Sequence, residues 1–481
     1  MTRRLSDYFP DAPNIEFVDV KTNSNEIQPH DLFVCIQGIS VDRHEYLPQA
    51  ALANAAGAII SKDVTTSLPT YRVENTQDAL VSLVKQAYPH DHIKLIGVTG
   101  TDGKTTISTI LGAFLNHVTS AAVIGTNGAF SPNYTEATKN TTPAIEHLYR
   151  LLHTFQSKGD SVVIMEAGSE GLYYGRTEGL EFDIAIFSNL TPEHLNTHKT
   201  MENYFNAKAI LFKQTKSTGT AIINIDDPYA QQFINVTKAK VLTYGQHESS
   251  DFRISDIQVH GDHTAFKFRH NHKTYDLTTN LLGEFNAYNL AATFAAIYAY
   301  GVDYRCVFSK LHNLHVSGRL QRIEKGQPFK VLVDYAHTPN GYMSLFKYIK
   351  ALKMKRLIVV AASAGGRDHD KRPAMGKILS DEADVVVLTS EDPRFEDPMD
   401  IVKMMMRDVT RHNIEVIIDR AKAIERAIHM ASHDDCVLIL GKGEENYQVV
   451  KDQRIPFNDL EQAYEAIATH PLMKIKHHEK K

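Results

Sequence analysis

The stretch KLIGVTGTDGKTTISTILGAFL, Lys94 to Leu115, constrains this chain more than any other. Leu95 to Val98 is an apolar run of the kind a buried strand shows, and Ile107, Ile110, Leu111 and Phe114 then recur at helical spacing. Between them stand a glycine turn, Gly100 to Gly103, and Lys104-Thr105-Thr106. A strand, a glycine turn, Lys-Thr and a helix together cradle phosphate. Backbone N–H groups of the turn point at the anion, the helix N-terminus adds partial positive charge, Lys104 adds a full one, and Thr105 offers a hydroxyl to Mg²⁺. The strict eight-residue pattern wants glycine at position 98, where this chain has Val98; its glycine comes one residue early, at Gly97. Gly100, Thr101, Asp102, Gly103, Lys104, Thr105 and Thr106 form the expected phosphate-binding set. An ordinary strand-to-helix turn is the plain alternative, and Gly-Lys-Thr-Thr at the junction argues against it.

With 481 residues the chain is too long for one core, and its length suggests about three domains. At 43% hydrophobic and 23% charged it has the composition of a soluble globular protein, and a net charge of -5 gives no basic footprint for nucleic acid. Cys35, Cys306 and Cys436 have no metal-ligand spacing; they fit a reducing cytosol and are expected in the core. The start, MTRRLSDYFPDAP, has no apolar run behind its basic residues and does not read as a signal peptide. No run reaches the roughly 18 apolar residues of a membrane helix. The tail KIKHHEKK from Lys474 reads as a solvated end.

The fold class is α/β. Residues 1 to about 90 read as a small α/β binding module, with a strand in Asp31–Gly38 and a helix in Tyr46–Ile60 that runs through Gly57 into a short strand. Pro89 to His92 reads as a linker. The middle segment repeats one device: a strand Ser161–Met165 ends at Glu166, and a strand Phe182–Ser188 leads to a loop holding Glu193, His194 and His198. In parallel α/β sheets ligands gather at the carboxyl ends of strands, so Lys104-Thr105, Glu166 and His194 are expected at one sheet edge. In the next helix, Met201–Phe212, Tyr204, Ala207, Ile210 and Leu211 make the buried stripe and Lys208 lies beside it, where a snorkelling surface lysine is the plain alternative. Asn286 and Asn289 stand one turn apart at the start of a long apolar helix, able to read a base edge or to cap the helix. After about Val316 a second α/β unit begins, in which four strands end in polar loops carrying Asp334 and His337, Arg367, Arg394, and Gly441-Lys442-Gly443.

GVTGTDGKTT, NTTP, the strand ending at Glu166, FDIAIFSNLTPEHLNTH, YFNAKAILF, GEFNAYN, GRL, DYAHTP, GGRDHDKRPAMG, EDPRFEDP and GKGEENYQ occur here in the order seen in the Mur ligases. The chain resembles that family over nearly its whole length, and within it the UDP-N-acetylmuramyl-tripeptide synthetases. The resemblance implies three domains: UDP-binding (1–90), central ATP-binding (91–317) and C-terminal Rossmann-like (318–481). It implies a cytoplasmic, monomeric, ATP- and Mg²⁺-dependent ligase. The γ-carboxylate of UDP-MurNAc-L-Ala-D-Glu would become an acyl-phosphate, which the amine of a diamino acid then attacks. Two anions must approach, so Lys104 and Mg²⁺ must offset their repulsion. By the same resemblance Thr105, Glu166 and His194 hold metal, joined by Lys208 as its carbamate. Asn286 and Asn289 lie beside adenine, and Arg319 and Asp334 reach the nucleotide as the last domain closes about Val316–Arg319. Ser24, Thr141, Thr142, Ser169 and Arg176 face the UDP-sugar peptide, and Arg367, Asp392, Arg394, Gly441 and Glu445 face the amino acid.

The departures from the family pattern are local. Asn23-Ser24-Asn25 stands for Asp-Ser-Arg, Glu166-Ala167-Gly168-Ser169-Glu170 for Glu-Val-Ser-Ser-His, Glu193-His194-Leu195-Asn196 for Asp-His-Leu-Asp, and Gly441-Lys442-Gly443-Glu444-Glu445 for Gly-Lys-Gly-His-Glu. They leave open a paralogue with a different acidic acceptor, in the manner of folylpolyglutamate synthetases, or a weakly catalytic nucleotide-binding regulator. Diaminopimelate enzymes carry Asp-Asn-Pro-Arg; here the motif is Glu391-Asp392-Pro393-Arg394. Arg394 favours diaminopimelate through its second carboxylate, while the added acid, with Glu444, suits the ammonium of lysine.

Overall fold

The computed structural model describes residues 2–38, 41–352 and 354–473; the tail from Lys474 lies outside the described residues. The chain forms two compact units. One comprises Met1–Thr99, Leu115–Ala185 and Ala207–Gly219, the other Gly100–Phe114, Ile186–Asn206 and Thr220–Lys481.

After a short antiparallel pair, Arg3–Arg4 with Glu16–Phe17, the first unit has a four-stranded sheet of β1 (Val20–Lys21), β2 (Leu32–Val34), β3 (Gly57–Ile60) and β4 (Thr70–Arg72), all parallel and in chain order. The helix expected to run through Gly57 stops at Leu52. Asn54 takes a left-handed conformation (φ 56°) that an amide side chain tolerates, and this turns the chain into β3. Pro89–His92 is pinned to the helix Ile145–Ser157: His153 Nδ1 lies 2.7 Å from the Pro89 carbonyl, and His92 N–H donates to Gln156 Oε1 at 2.9 Å.

Next come β5 (Lys94–Thr99), β6 (Ala121–Gly125), β7 (Gly128–Ser131), β8 (Tyr134–Glu136) and β9 (Val162–Glu166), with β9 parallel to both β5 and β6. The apolar runs of β5, β6 and β9 are continuous because a parallel sheet is covered on both faces. Two strands, β10 (Phe182–Phe187) and β11 (Thr215–Asn224), run on into the second unit. There β12 (Lys240–Gly245), β13 (Phe252–Val259), β14 (Thr264–His270) and β15 (Lys273–Thr279) follow, the last three antiparallel. The sheet order is β8-β7-β6-β9-β5-β10-β11-β12-β13-β14-β15.

A second sheet in the same unit has the order β16-β17-β21-β18-β19-β20. Its strands are β16 (Gln321–Arg322), β17 (Lys330–Asp334), β18 (Leu357–Ala361), β19 (Val385–Leu388), β20 (Ile414–Val416) and β21 (Cys436–Leu440). All but β16 are parallel, so their carboxyl ends share one edge. Alternate residues serve opposite cores: Leu332, Val359 and Leu438 face one, and Val331, Val333, Ile358 and Ile439 the other. Cys35 and Cys436 are buried as expected, but Cys306 is exposed. It lies in the 3₁₀ segment Tyr304–Asn313, where Tyr304, Val307 and Leu311 take the inward positions. Among the described residues no helix is long and apolar enough to cross a membrane.

Candidate active site

The glycine turn expected to cradle phosphate is held by its neighbours in the second unit. Gly100 (φ 147°) and Gly103 (φ 87°) adopt conformations suited to glycine; a Cβ at Gly100 would run into Ser188 Oγ, and one at Gly103 would lie 2.7 Å from Asn289 Oδ1. Ser188 and Asn189, at the end of β10, donate to the Asp102 carbonyl at 2.6 and 3.2 Å, and Asp102 N–H donates back to Asn189 Oδ1 at 2.9 Å. Lys104 heads the helix Lys104–Leu115, and its amine donates to the carbonyls of Gly100 (3.0 Å) and Thr101 (2.8 Å). Thr105 and Thr106 are buried in the first turn.

Asn286 and Asn289 do not cap their helix, Glu284–Tyr300, whose N-cap is Gly283. Asn289 donates to Asn286 Oδ1 at 3.0 Å and Asn286 to the Leu282 carbonyl at 2.8 Å, which fixes Asn289 against Gly103. From the last 164 residues, Arg319 donates to Thr105 Oγ1 at 3.2 Å and stacks over Tyr335 at 4.4 Å. Asp334 accepts from the N–H groups of Leu320 (2.6 Å) and Ala336 (2.7 Å), which fixes the turn that carries Arg319. Burial pushes the Asp334 carboxyl up, against the pull of Arg319.

His194 is half-buried and held at φ 58°, a strained value for a residue with a Cβ; such strain persists where the surroundings over-determine it. Its ring lies 6.2 Å from Tyr204, whose hydroxyl is 3.2 Å from Thr101 Oγ1. Glu193 is buried and pairs with Lys371 at 2.9 Å, and its burial raises its pKa.

In the first unit Glu166 ends β9, almost fully buried, and accepts from Thr126 N–H (3.0 Å) and Thr126 Oγ1 (3.1 Å). Thr126 Oγ1 lies 3.1 Å from Thr141 Oγ1. Thr142 donates to the Glu166 carbonyl at 2.8 Å, and Arg176 donates to the Thr142 carbonyl at 2.9 Å. Ser169 is buried, with an Oγ that has no hydrogen-bond partner. Glu166, Thr126, Thr141, Thr142 and Arg176 are therefore joined by hydrogen bonds into one cluster. Ser24 stands apart from it, donating to Gln49 at 2.8 Å. Lys208 is 1% exposed, so it is a core lysine and not a snorkelling one.

At the carboxyl edge of the second sheet, Lys442 is fully buried and bridges Asp392 (2.8 Å) and Glu445 (2.6 Å). Tyr335 donates to Glu445 at 3.3 Å. Glu391 is buried beside them with Oε2 unpartnered, close to Gly441 (φ 111°), and burial raises its pKa to about 7. Arg394 is held at φ 52° by main-chain bonds to Val449 (3.0 Å) and Lys451 (2.7 Å). Loss of solvation and the neighbouring Arg367 both depress its pKa. The acids that could have steadied Arg394 are engaged elsewhere: Glu396 pairs with Arg372 at 2.7 Å and Asp397 caps the helix Pro398–Met406. Among the described residues Arg394 makes no ion pair.

The sequence reading passed over Thr126, gave Lys442 no role, and weighed Glu391 only as added acid beside an incoming ammonium. Glycines on either side of Lys442 were the one available signal, since they mark a backbone turned inward. Among the described residues no three His, Cys, Asp or Glu side chains gather so as to hold a metal ion by themselves.

Two family models match the chain: Mur ligase middle domain over residues 98–297, and Mur ligase, glutamate ligase domain, over residues 318–443. The chain is 36% identical over 461 residues to the UDP-N-acetylmuramoyl-L-alanyl-D-glutamate–2,6-diaminopimelate ligase of Halalkalibacterium halodurans, covering 94% of this chain and 95% of that one. A solved structure named as the same ligase matches with TM-score 0.67 at 29% identity, covering 99% of this chain and 100% of that one. The MurF ligase of Thermotoga maritima in complex with ADP shares the fold, with TM-score 0.66 at 19% identity over 95% and 98% of the two chains.

Proposed function

Because this chain belongs to the Mur ligase family, we propose that it joins diaminopimelate to UDP-MurNAc-L-Ala-D-Glu in an ATP-dependent amide ligation of peptidoglycan precursor synthesis. The near-full-length likeness to ligases of that name supports the reaction. The observation that carries the choice of amino acid is Arg394, which makes no ion pair among the described residues and stands beside Arg367. A guanidinium so placed suits the second carboxylate that diaminopimelate has and lysine lacks. Three domains, 1–90, 91–317 and 318–481, fit the separate sheets and the extents of the two family matches.

The residues present fit ATP and Mg²⁺. The glycine cradle at Gly100 and Gly103, with Lys104 at a helix N-terminus, suits a triphosphate. Mg²⁺ is usually held by one or two carboxylates, phosphate oxygens and water, and Thr105, Glu166, His194 and Lys208 as its carbamate are the residues that the family likeness assigns to it. Bound there, the ion would offset charge on the phosphates and on the acceptor carboxylate. Lys104 would give up its two loop carbonyls and turn its amine to the transferred phosphoryl group. Asn286 and Asn289 would keep Gly103 in place at the adenine side, and Arg319 would move from Thr105 to the phosphates. Thr141, Thr142, Ser169, Arg176 and Ser24 would hold the acceptor. Asp392, Gly441 and Glu445 would shape the amino-acid pocket with Arg367 and Arg394. The protein would act as a cytoplasmic monomer.

ADP release measured with and without UDP-MurNAc-L-Ala-D-Glu tests this. Release should require both acceptor and diaminopimelate and should vanish in Lys104→Ala with the fold intact. Acceptor-independent release, or near-normal turnover in Lys104→Ala, would overturn the reading.

A further inference from the structure

A cavity of about 600 Å³, of ligand-binding size, lies in the second unit away from every residue assigned above. Its walls come from β11, β12, the turn between β14 and β15, and the carboxyl end of the Glu284–Tyr300 helix. Asn286 and Tyr298 are twelve residues apart on that helix, roughly 18 Å of rise. The cavity is therefore separate from the adenine side of the phosphate loop.

The wall is positive at its rim and aromatic at its floor. Lys240 and Lys273 are exposed, and neither forms an ion pair among the described residues. Asp303, the one carboxylate in the described lining, is gripped by Arg305 through contacts of 2.5 to 2.9 Å. Gly301 and Val302 N–H groups donate to the carbonyls of Ile297 and Tyr298, and the carboxyl end of the helix adds only partial negative charge beside the two full charges of the lysines.

His270 forms the floor, 6% exposed. Tyr304 is stacked against it at 5.5 Å and Tyr298 stands edge-on at 4.9 Å. Its Nδ1 is buried without a hydrogen-bond partner, a costly state that a polar ligand atom would relieve. Burial lowers its pKa, so the ring is neutral near pH 7. No step of the ligation uses these groups.

We propose that this cavity binds a small dianion carried on a planar ring, with the charge between Lys240 and Lys273, the ring against Tyr298, and a polar atom on His270. A nucleoside monophosphate and a simple aryl phosphate share that chemistry.

Calorimetric titration of the full chain with phenyl phosphate, UMP and inorganic phosphate tests it, counting only binding that is lost in Lys240→Ala/Lys273→Ala. Phenyl phosphate should bind about tenfold tighter than inorganic phosphate. The double variant should lose about tenfold or more of that affinity while its ligase activity without added probe stays unchanged. Tyr298→Ala should bring phenyl phosphate down towards inorganic phosphate. The tighter of UMP and phenyl phosphate then identifies the ring, and either result supports the site. The proposal is overturned by an absence of saturable binding, by equal affinity in wild type and double variant, or by inorganic phosphate binding as tightly as the aromatic probes.

Discussion

Arg319 donates to the hydroxyl of Thr105 at 3.2 Å across 214 residues of sequence, so a residue of the last α/β unit touches the second residue of the phosphate-loop helix. Its guanidinium is held flat over Tyr335 and its turn is fixed by Asp334. A charge so positioned acts most strongly where negative charge shifts during phosphoryl transfer. Arg319→Ala should lower kcat on the order of 100-fold with a smaller change in nucleotide affinity, and Arg319→Lys should restore part of it. A loss of nucleotide affinity with kcat unchanged would make Arg319 a ground-state nucleotide contact only.

Lys208 is buried, at 1% exposure, in the Met201–Lys213 helix. As a carbamate it would be an anion suited to a metal. Lys208→Ala should lose about 100-fold in activity, and small carboxylates should restore part of it. An active, Mg²⁺-loaded enzyme whose intact mass shows an unmodified Lys208 would contradict the carbamate.

Glu391 gives a pH dependence with a definite sign. Burial lifts its pKa from 4.5 to about 7, so the folded state holds a proton that the unfolded state releases. Stability from this group is present below pH 4.5 and declines as pH rises through 7. Glu391→Gln carries no such charge and should gain about 2–3 kcal/mol on wild type between pH 4 and pH 8. Parallel stability curves for the two proteins across that range, from denaturant titration, would contradict the burial assignment.

The strands at the heart of both sheets were legible because parallel strands buried on two faces read as unbroken apolar runs, as Leu95–Val98 and Val437–Leu440 do. The strand, glycine turn and helix of Lys94–Leu115 were legible because their glycines, Lys and Thr stand at fixed local offsets. What escaped depends on partners distant in sequence. Lys442 looks like a loop lysine until Asp392, 50 residues away, is placed on its amine. Glu396 is only two residues from Arg394, yet Arg372, 24 residues back, holds it. Cys306 is apolar by type but falls on the outer side of a 3₁₀ turn whose register its own neighbours decide. The Asn54 turn was missed because the alanines around it favour a helix that a left-handed residue ends.

The specificity assignment rests on Arg394. If it grips the second carboxylate of diaminopimelate, Arg394→Ala leaves that carboxylate desolvated and unpaired. A loss of about 2–5 kcal/mol follows, roughly 30- to several-thousand-fold in kcat/KM for diaminopimelate, with lysine little changed or improved. Similar losses for both amino acids would mean that the residue only shapes its loop.

The most direct measurement gives the wild-type protein ATP, Mg²⁺ and UDP-MurNAc-L-Ala-D-Glu, offers diaminopimelate and lysine in separate reactions, and follows ADP release together with product mass. The account predicts a UDP-MurNAc-tripeptide carrying diaminopimelate, formed with a kcat/KM well above that for lysine. A product only with lysine would contradict the diaminopimelate assignment, and no amide product with either would contradict the ligase itself.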